Sequence, residues 1–365
     1  MGGPRLVISA GWVVSSFMRS PVPRPLIHPL AVLCPLMALC PLAALCLLTT
    51  ALAAAEPWSG SLPAMPVATT DLTLTLADGL TATVRVHHPV AAATACPVVI
   101  FSHGLAGSRE GYAFLGKRWA EHGYVVIHPD HPGSDTAAFK GHPMAEIPGL
   151  LRQATRDPKV IDGRPKLIAV LITALPAIDE RLPGVTLDSD RIGVAGHSFG
   201  AWTTLATAGV ASALLGKSPW QDPRPRAFAA LSPPGPAGEP KAGDYAACTR
   251  PLLVMTGSND VQPAFLAKSG AESGPAWRRQ SFDLLPAGDK MLAWFEGSRH
   301  CTYSNGAGNV LSGEPPPDPA QVEAVAVITL AWWDAYLRDD AAAKAWLADP
   351  ATPAVLGTWA KFERK

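Results

Sequence analysis

The stretch RIGVAGHSFGAW, Arg191–Trp202, sets a serine between two glycines where a short apolar run gives way to helix-forming residues. A serine on a sharp strand-to-helix turn is crowded. Gly196 and Gly200, two positions either side of Ser198, lack the Cβ that would clash there. Such a turn lifts the hydroxyl above a sheet edge and points the N-terminus of the next helix at it. A Gly-x-Ser-x-Gly arises by chance often enough to be weak alone. The strand before it and the helix after it make Ser198 a nucleophile in preference to a helix-capping serine.

A serine hydroxyl attacks only if a base takes its proton, and the base needs an acid to fix its tautomer and steady its charge. On a strand–turn–helix nucleophile the partners follow in the order Asp or Glu, then His. VMTGSNDVQP puts Asp260 just past an apolar run, and AWFEGSRHCTY puts His300 just past the last one. Asp283 and Asp289 fall before or at the start of a run, at the wrong sheet edge. The competing reading of Asp260 is a turn-forming aspartate after Ser-Asn. His300 has no rival downstream, because the other nine histidines all precede Ser198. An attacked carbonyl also needs N–H donors for its oxyanion. Phe199, directly after the nucleophile, supplies one, and Leu105 in the loop FSHGLAG supplies the other. His103 and His197 read as structural histidines bonded to backbone, and His128 and His131 as shaping a neighbouring loop. No C-x-x-C or H-E-x-x-H pair is present, so neither a metal nor a cofactor is expected.

The elements that must position these residues follow from hydrophobic patterning. DLTLTLADGLTATVRVHHP alternates apolar and polar residues about Asp78-Gly79 and predicts a hairpin. Beyond it, near-continuous apolar runs at 97–104, 124–130, 191–198, 227–234, 251–258 and 290–297 suit strands buried on both faces of a parallel sheet. Helices are predicted over Glu110–His122, Lys166–Arg181, Phe199–Leu215 and Gln321–Leu347. The last carries Trp332, Trp333 and Tyr336 as a packing face. The fold class is therefore α/β: an antiparallel N-terminal hairpin feeding a mostly parallel sheet with helices on both faces. Ligands of such sheets bind at the carboxyl ends of the strands, where Ser198, Asp260 and His300 all fall.

With 365 residues, 48% of them hydrophobic, the chain can bury a large core; 30 basic against 30 acidic side chains argue against nucleic acid recruited by net charge. Residues 1–55 carry Arg5, Arg19 and Arg24 as their only charges and then the run PLAVLCPLMALCPLAALCLLTTALAAA. A basic stretch, an apolar stretch and small residues at Ala51, Ala53 and Ala55 predict a cleavable secretory leader, so a periplasmic or secreted protein. A retained N-terminal membrane anchor is the alternative; Pro35 and Pro41 interrupt the run and favour cleavage, with no stable membrane association afterwards. Residues 56–365 then form a single catalytic domain. Cys96, Cys248 and Cys301 remain, of which at least one is unpaired, and each reads as a small buried thiol.

FSHGLAGSREGYAFLGKRWAEHGYVVIHPDHPGSD together with GVAGHSFGAW resembles the α/β-hydrolase superfamily, and within it bacterial dienelactone hydrolase-like proteins related to platelet-activating-factor acetylhydrolase. The resemblance runs from about Asp71 to the end. It implies a carboxylic-ester hydrolase acting on a small-molecule ester, with a Ser-Asp-His triad carried by Ser198, Asp260 and His300. Dienelactone hydrolases proper use a cysteine nucleophile, so Ser198 departs from them. Polyester-cleaving cutinase-like and lipid-ester hydrolases share the framework, and an acyltransferase would use the same triad. Specificity is expected from loops at Asp135–Pro165, Gly209–Arg226 and Pro233–Thr249, where Leu150, Leu151, Trp220 and Tyr245 either line an acyl pocket or merely pack on the domain.

Overall fold

In the computed structural model, residues 56–75, 79, 81–211, 219–236, 243–263, 266, 273–306 and 313–365 are described. The leader over 1–55 and the hairpin's Asp78 lie outside them. Nine strands make one sheet: β1 (Val67–Thr75), β2 (Thr81–Pro89), β3 (Cys96–Ser102), β4 (Val125–Pro129), β5 (Leu187–His197), β6 (Ala227–Leu231), β7 (Leu252–Asn259), β8 (Lys290–Arg299) and β9 (Ala360–Arg364). Their order is β1-β2-β4-β3-β5-β6-β7-β8-β9. β1 pairs antiparallel with β2, and β2 antiparallel with β4. From β4 through β8 every pairing is parallel. The expected hairpin and parallel sheet are both present, with helices on both faces.

β9 was not expected. It closes the far edge antiparallel to β8, Met291 opposite Arg364 and Phe295 opposite Ala360. At five residues, with Lys361, Glu363 and Arg364 among them, it lacks the apolar run that marks the inner strands. Charged side chains on an edge strand also discourage pairing with another chain.

Side-chain alternation explains why the inner strands read as unbroken apolar runs. Val99 and Phe101 of β3 face one core, with α1 (Ala113–Glu121) and the long helix near the C-terminus. Val98 and Ile100 face the other. Both faces are dry, so both sets are apolar. The second core is covered by α3 (Pro158–Thr173) and α4 (Leu175–Asp179), which follow α2 (Ile147–Ala154), and by α5 (Phe199–Ala208) and α6 (Pro275–Asp283). Trp332 and Trp333 are buried on the first face as read from the sequence, Trp333 so close to β5 that a Cβ on Gly193 would come within 2.8 Å of its ring.

Three helix expectations are corrected. The one placed at Lys166–Arg181 begins earlier, at Pro158, because Asp157 caps it by accepting from the Lys159 N–H, and Pro165 is accommodated inside it. It ends at Thr173, and Leu175–Asp179 is separate. The helix placed at Phe199–Leu215 stops at Ala208, where Gly209 takes a left-handed φ of 112° as its C-cap. The one placed at Gln321–Leu347 is two: α7 (Pro319–Leu337) and α8 (Ala341–Ala348). Asp339 turns the chain with φ 56°, and Asp340 caps α8 by accepting from Ala342 and Ala343. The expected loop Asp135–Pro165 is largely helical.

β2 and β4 bring His87 and His128 together edge to face, ring centroids 5.3 Å apart, under Gly116. Each Nε2 is buried with no hydrogen-bond partner among the described residues. Burial, with Lys117 and Arg85 nearby, holds His87 down at about 4, and burial holds His128 well below its ordinary value. Burial does the same to His103, His131 and His197. Below about pH 6.5 the unfolded chain therefore takes up protons that the folded chain refuses, and stability falls as pH falls. The expected slope is up to about 1.4 kcal/mol per pH unit for each such histidine. Urea midpoints between pH 7.5 and 5 should decline, less steeply for His87→Gln; a flat profile contradicts the neutral buried histidines.

Candidate active site

Ser198 follows β5 and precedes α5, with φ 55° and ψ −116°, a backbone that a side-chain-bearing residue adopts only under constraint. The constraint is close approach. A Cβ on Gly200 would lie 1.9 Å from the Ser102 carbonyl oxygen, and one on Gly196 2.3 Å from the Gly200 carbonyl oxygen. Both glycines are thus required for the steric reason read from the sequence. The turn is also tied down by the Ser198 N–H donating to the Leu231 carbonyl (2.9 Å) at the end of β6.

His300 stands one residue past β8, its Nε2 2.9 Å from Ser198 Oγ and its Nδ1 3.0 Å from Asp260 Oδ1. The three residues singled out in the sequence, spread over 102 positions, meet at one sheet edge. The carboxylate is completely buried and fully partnered. Oδ2 accepts from Thr256 Oγ1 (2.8 Å); Oδ1 accepts from Ser232 Oγ (2.9 Å) and faces Arg278 Nε at 2.9 Å. Burial alone would raise the Asp260 carboxyl. The Arg278 charge, followed by His300 and the Ser232 hydroxyl, outweighs it and holds the group at about 2. Asp260 is therefore ionised at neutral pH.

Ser232, Arg278 and Thr256 were missed in the sequence. Ser232 follows β6 with φ 48°, and its Oγ is 2.7 Å from His300 Nδ1, so it sits on the Asp–His contact itself. Arg278 comes from α6, far along the chain, and also donates to the Ser232 and Pro233 carbonyls. The one available signal was position: Ser232 lies directly after an apolar strand, as Asp260 and His300 do.

The Leu105 loop follows β3. Among the described residues no acceptor takes the N–H of Leu105 or of Phe199, the first residue of α5. His103 is structural, as expected: its Nδ1 donates to the Gly104 carbonyl (2.7 Å) and its Nε2 accepts from the His131 N–H (3.2 Å). His197 is structural in a more specific way. Its Nε2 donates to the His300 carbonyl (3.0 Å), and its Nδ1 accepts from the Tyr112 hydroxyl (2.8 Å), which in turn accepts from the Gly104 N–H (3.2 Å). One chain of hydrogen bonds thus joins the backbone before Leu105 to the backbone of His300. Tyr112, with φ 62° at the start of α1, carried no sequence signal.

A cavity of about 640 Å³ opens beside Ser198, walled by Leu105, Phe199, Trp202, Leu205, Tyr245 and Trp277. Of the four side chains proposed for an acyl pocket, Tyr245 lines it. Leu151 is buried elsewhere, and Trp220 backs Trp202 from behind, rings 5.7 Å apart, while donating to Asp162 (2.6 Å). The three cysteines of the described residues are buried, and no three His, Cys, Asp or Glu among those residues are grouped to hold a metal ion.

A family model described as platelet-activating factor acetylhydrolase, isoform II, matches residues 64–157. Platelet-activating factor acetylhydrolase of Canis lupus familiaris is 30% identical over 138 residues, covering 30% of this chain and 31% of that protein. The Bos taurus protein of the same name is 29% identical over 139 residues, with 30% and 31% covered. The chain spans about a third of the length of the curated relatives it matches. These matches bear out the resemblance read from the 101–135 stretch, and with the sheet order they give an α/β-hydrolase fold. The family-model match includes the Leu105 loop and ends before Ser198.

Two variants test the site's construction. Gly200→Ala drives a methyl into the Ser102 carbonyl, and it should yield no folded protein or one in which the turn has opened, seen as lost near-ultraviolet circular dichroism. Arg278→Met strands a buried carboxylate and should cost about 3–5 kcal/mol in urea unfolding; a loss below about 1 kcal/mol would mean the ion pair does not hold Asp260.

Proposed function

We propose that the protein is a serine carboxylic-ester hydrolase working through an acyl-enzyme on Ser198. The observation that carries this reading is the continuous contact Ser198 Oγ–His300 Nε2, His300 Nδ1–Asp260 Oδ1, at 2.9 and 3.0 Å, on a strained turn beside an apolar cavity. His300 takes the Ser198 proton as Oγ attacks the ester carbonyl. The oxyanion forms against the N–H groups of Phe199 and Leu105. Collapse of the adduct breaks the C–O bond to the alcohol, which leaves with the proton from His300. Water, deprotonated by His300, then attacks the acyl-serine, and the acid departs as Ser198 recovers its proton. Asp260 stays ionised throughout, steadying the imidazolium.

The substrate is a small-molecule ester with an apolar acyl or alkyl portion. A 640 Å³ cavity whose wall is mostly aromatic and aliphatic, with Arg152, Arg156, Asp244 and Gln262 also in its lining, supports that class and accommodates more than an acetyl group. The curated relatives are named for removing acetyl from platelet-activating factor, which puts a phospholipid acetyl ester on the panel of candidates. The leader composition supports a periplasmic or secreted location. Among the described residues no helix is long and apolar enough to cross a membrane.

A fluorophosphonate probe should label wild-type protein and not Ser198→Ala, and Ser198→Ala or Asp260→Asn should lower kcat by about 10⁴. A p-nitrophenyl ester series from acetate to palmitate, with competing alcohols added, reads chain-length preference and acyl destination together. Folded wild type that neither takes the probe nor hydrolyses any ester of the series sinks the reading; predominant transfer to the alcohol replaces hydrolase with acyltransferase.

A further inference from the structure

Arg164, on α3, is 1% exposed, yet no carboxylate lies within ion-pair distance of it among the described residues. A buried guanidinium whose nearest acting carboxylate, Asp135, lies beyond ion-pair distance is costly, so its contacts matter. Burial lowers it to about 9, so it remains charged at neutral pH. Nε donates to Thr203 Oγ1 (3.0 Å), Nη1 to Ser134 Oγ (2.7 Å) and Nη2 to the His103 carbonyl, while its central carbon lies 4.6 Å from the centroid of the Phe199 ring.

Each partner borders one of the two N–H donors assigned to the oxyanion. His103 stands two residues before Leu105. On its other side the Ala106 N–H donates to the Ser134 carbonyl (2.9 Å), so the loop carrying Leu105 is gripped through both flanks. Thr203 Oγ1 donates to the Phe199 carbonyl (3.0 Å), and the Phe199 ring lies against the guanidinium face. The two donors come from segments 94 residues apart in sequence, the loop after β3 and the helix after β5. One planar, rigid fork touches both.

We propose that Arg164 is the positioning residue of the oxyanion hole, its guanidinium fixing the Leu105 loop against the Phe199 end of α5. This rests on the ester-hydrolase reading above. Arginine is needed because three acceptors in different directions and a ring face are held at once. A lysine would bring the charge as a single point and could not hold all of them. An oxyanion hole works only while its donors stay where the charge develops, and misplacement by about 1 Å costs on the order of 10² in rate.

The test compares wild type, Arg164→Met and Arg164→Lys in steady-state hydrolysis. It also measures affinity for a trifluoromethyl ketone, which forms a tetrahedral adduct on serine, and for the matching non-adduct-forming amide. Positioning predicts that kcat and trifluoromethyl ketone affinity fall together by about 10–10² in Arg164→Met, with KM and amide affinity within about threefold of wild type, and that lysine does not restore them. A folded Arg164→Met with kcat within threefold of wild type overturns the proposal. So does equal weakening of amide and trifluoromethyl ketone, which marks a general structural role, or full rescue by lysine, which marks a role of charge alone. Should Arg164→Met not fold, Thr203→Val and Ser134→Ala each remove one anchor; the same selective loss in tetrahedral-adduct affinity supports the proposal and its absence in both overturns it. Failure of the hydrolase reading shows separately, as activity that survives Ser198→Ala.

Discussion

The turn at Ser198 depends on a near-collision of backbones. Gly200 runs so close to the end of β3 that any side-chain carbon would overlap the Ser102 carbonyl, and Gly196 is packed as tightly against Gly200. That proximity is possible because β3 and β5 are neighbours in parallel register, Ser102 opposite Gly196. It fixes three things together: the positive φ that raises the hydroxyl, the direction of α5, and the distance from α5 to the loop after β3. Neighbouring strands then complete the site from their own carboxyl ends. β6 supplies Ser232 and the carbonyl that holds the Ser198 N–H, β7 supplies Asp260, and β8 leads into His300.

Electrostatics divides the site into two halves, each braced by one buried arginine. On the acid–base half, Arg278 keeps the Asp260 carboxylate ionised against burial and pins the Ser232 and Pro233 carbonyls. On the half proposed for the oxyanion, Arg164 touches the His103 carbonyl before Leu105, and Thr203 and the Phe199 ring of α5. The difference between them is informative. Arg278 has a carboxylate within ion-pair distance and Arg164 does not, Asp135 acting on it only from beyond that distance, so Arg164 is held mainly by neutral acceptors and the Phe199 ring. Tyr112 and His197 join the halves through hydrogen bonds alone, with both groups neutral: burial pushes the Tyr112 hydroxyl up and His197 down.

What the sequence made legible was whatever depends on local pattern. The inner strands, the hairpin and the Gly196-x-Ser198-x-Gly200 turn are encoded by runs of a few residues, and the triad order follows once the strands are placed. What stayed hidden depends on tertiary distance. Ser232 is one serine among many until β6 and β8 are brought together. Arg164 and Arg278 look like surface residues of amphipathic helices; only docking of those helices buries them. Helix ends were misjudged where a capping aspartate, Asp157 or Asp340, restarted a helix that composition alone ran together or placed too late. β9 was missed because a short charged edge strand carries no core pattern.

Ser232 also bears on how sharply the acid is defined. His300 Nδ1 has two oxygens in reach, Asp260 Oδ1 at 3.0 Å and Ser232 Oγ at 2.7 Å, and the hydroxyl itself reaches the same carboxylate oxygen at 2.9 Å. A hydroxyl donates one proton. If it gives that proton to the carboxylate, it can accept from Nδ1–H, so the imidazole is held by the carboxylate both directly and through Ser232. Either route fixes the same tautomer, with the Nδ1 proton toward Asp260 and a free lone pair on Nε2 facing Ser198. The triad geometry is therefore over-determined at the acid end. That suits the proposed base, which would take up and give back a proton twice in each turnover and must keep one orientation throughout.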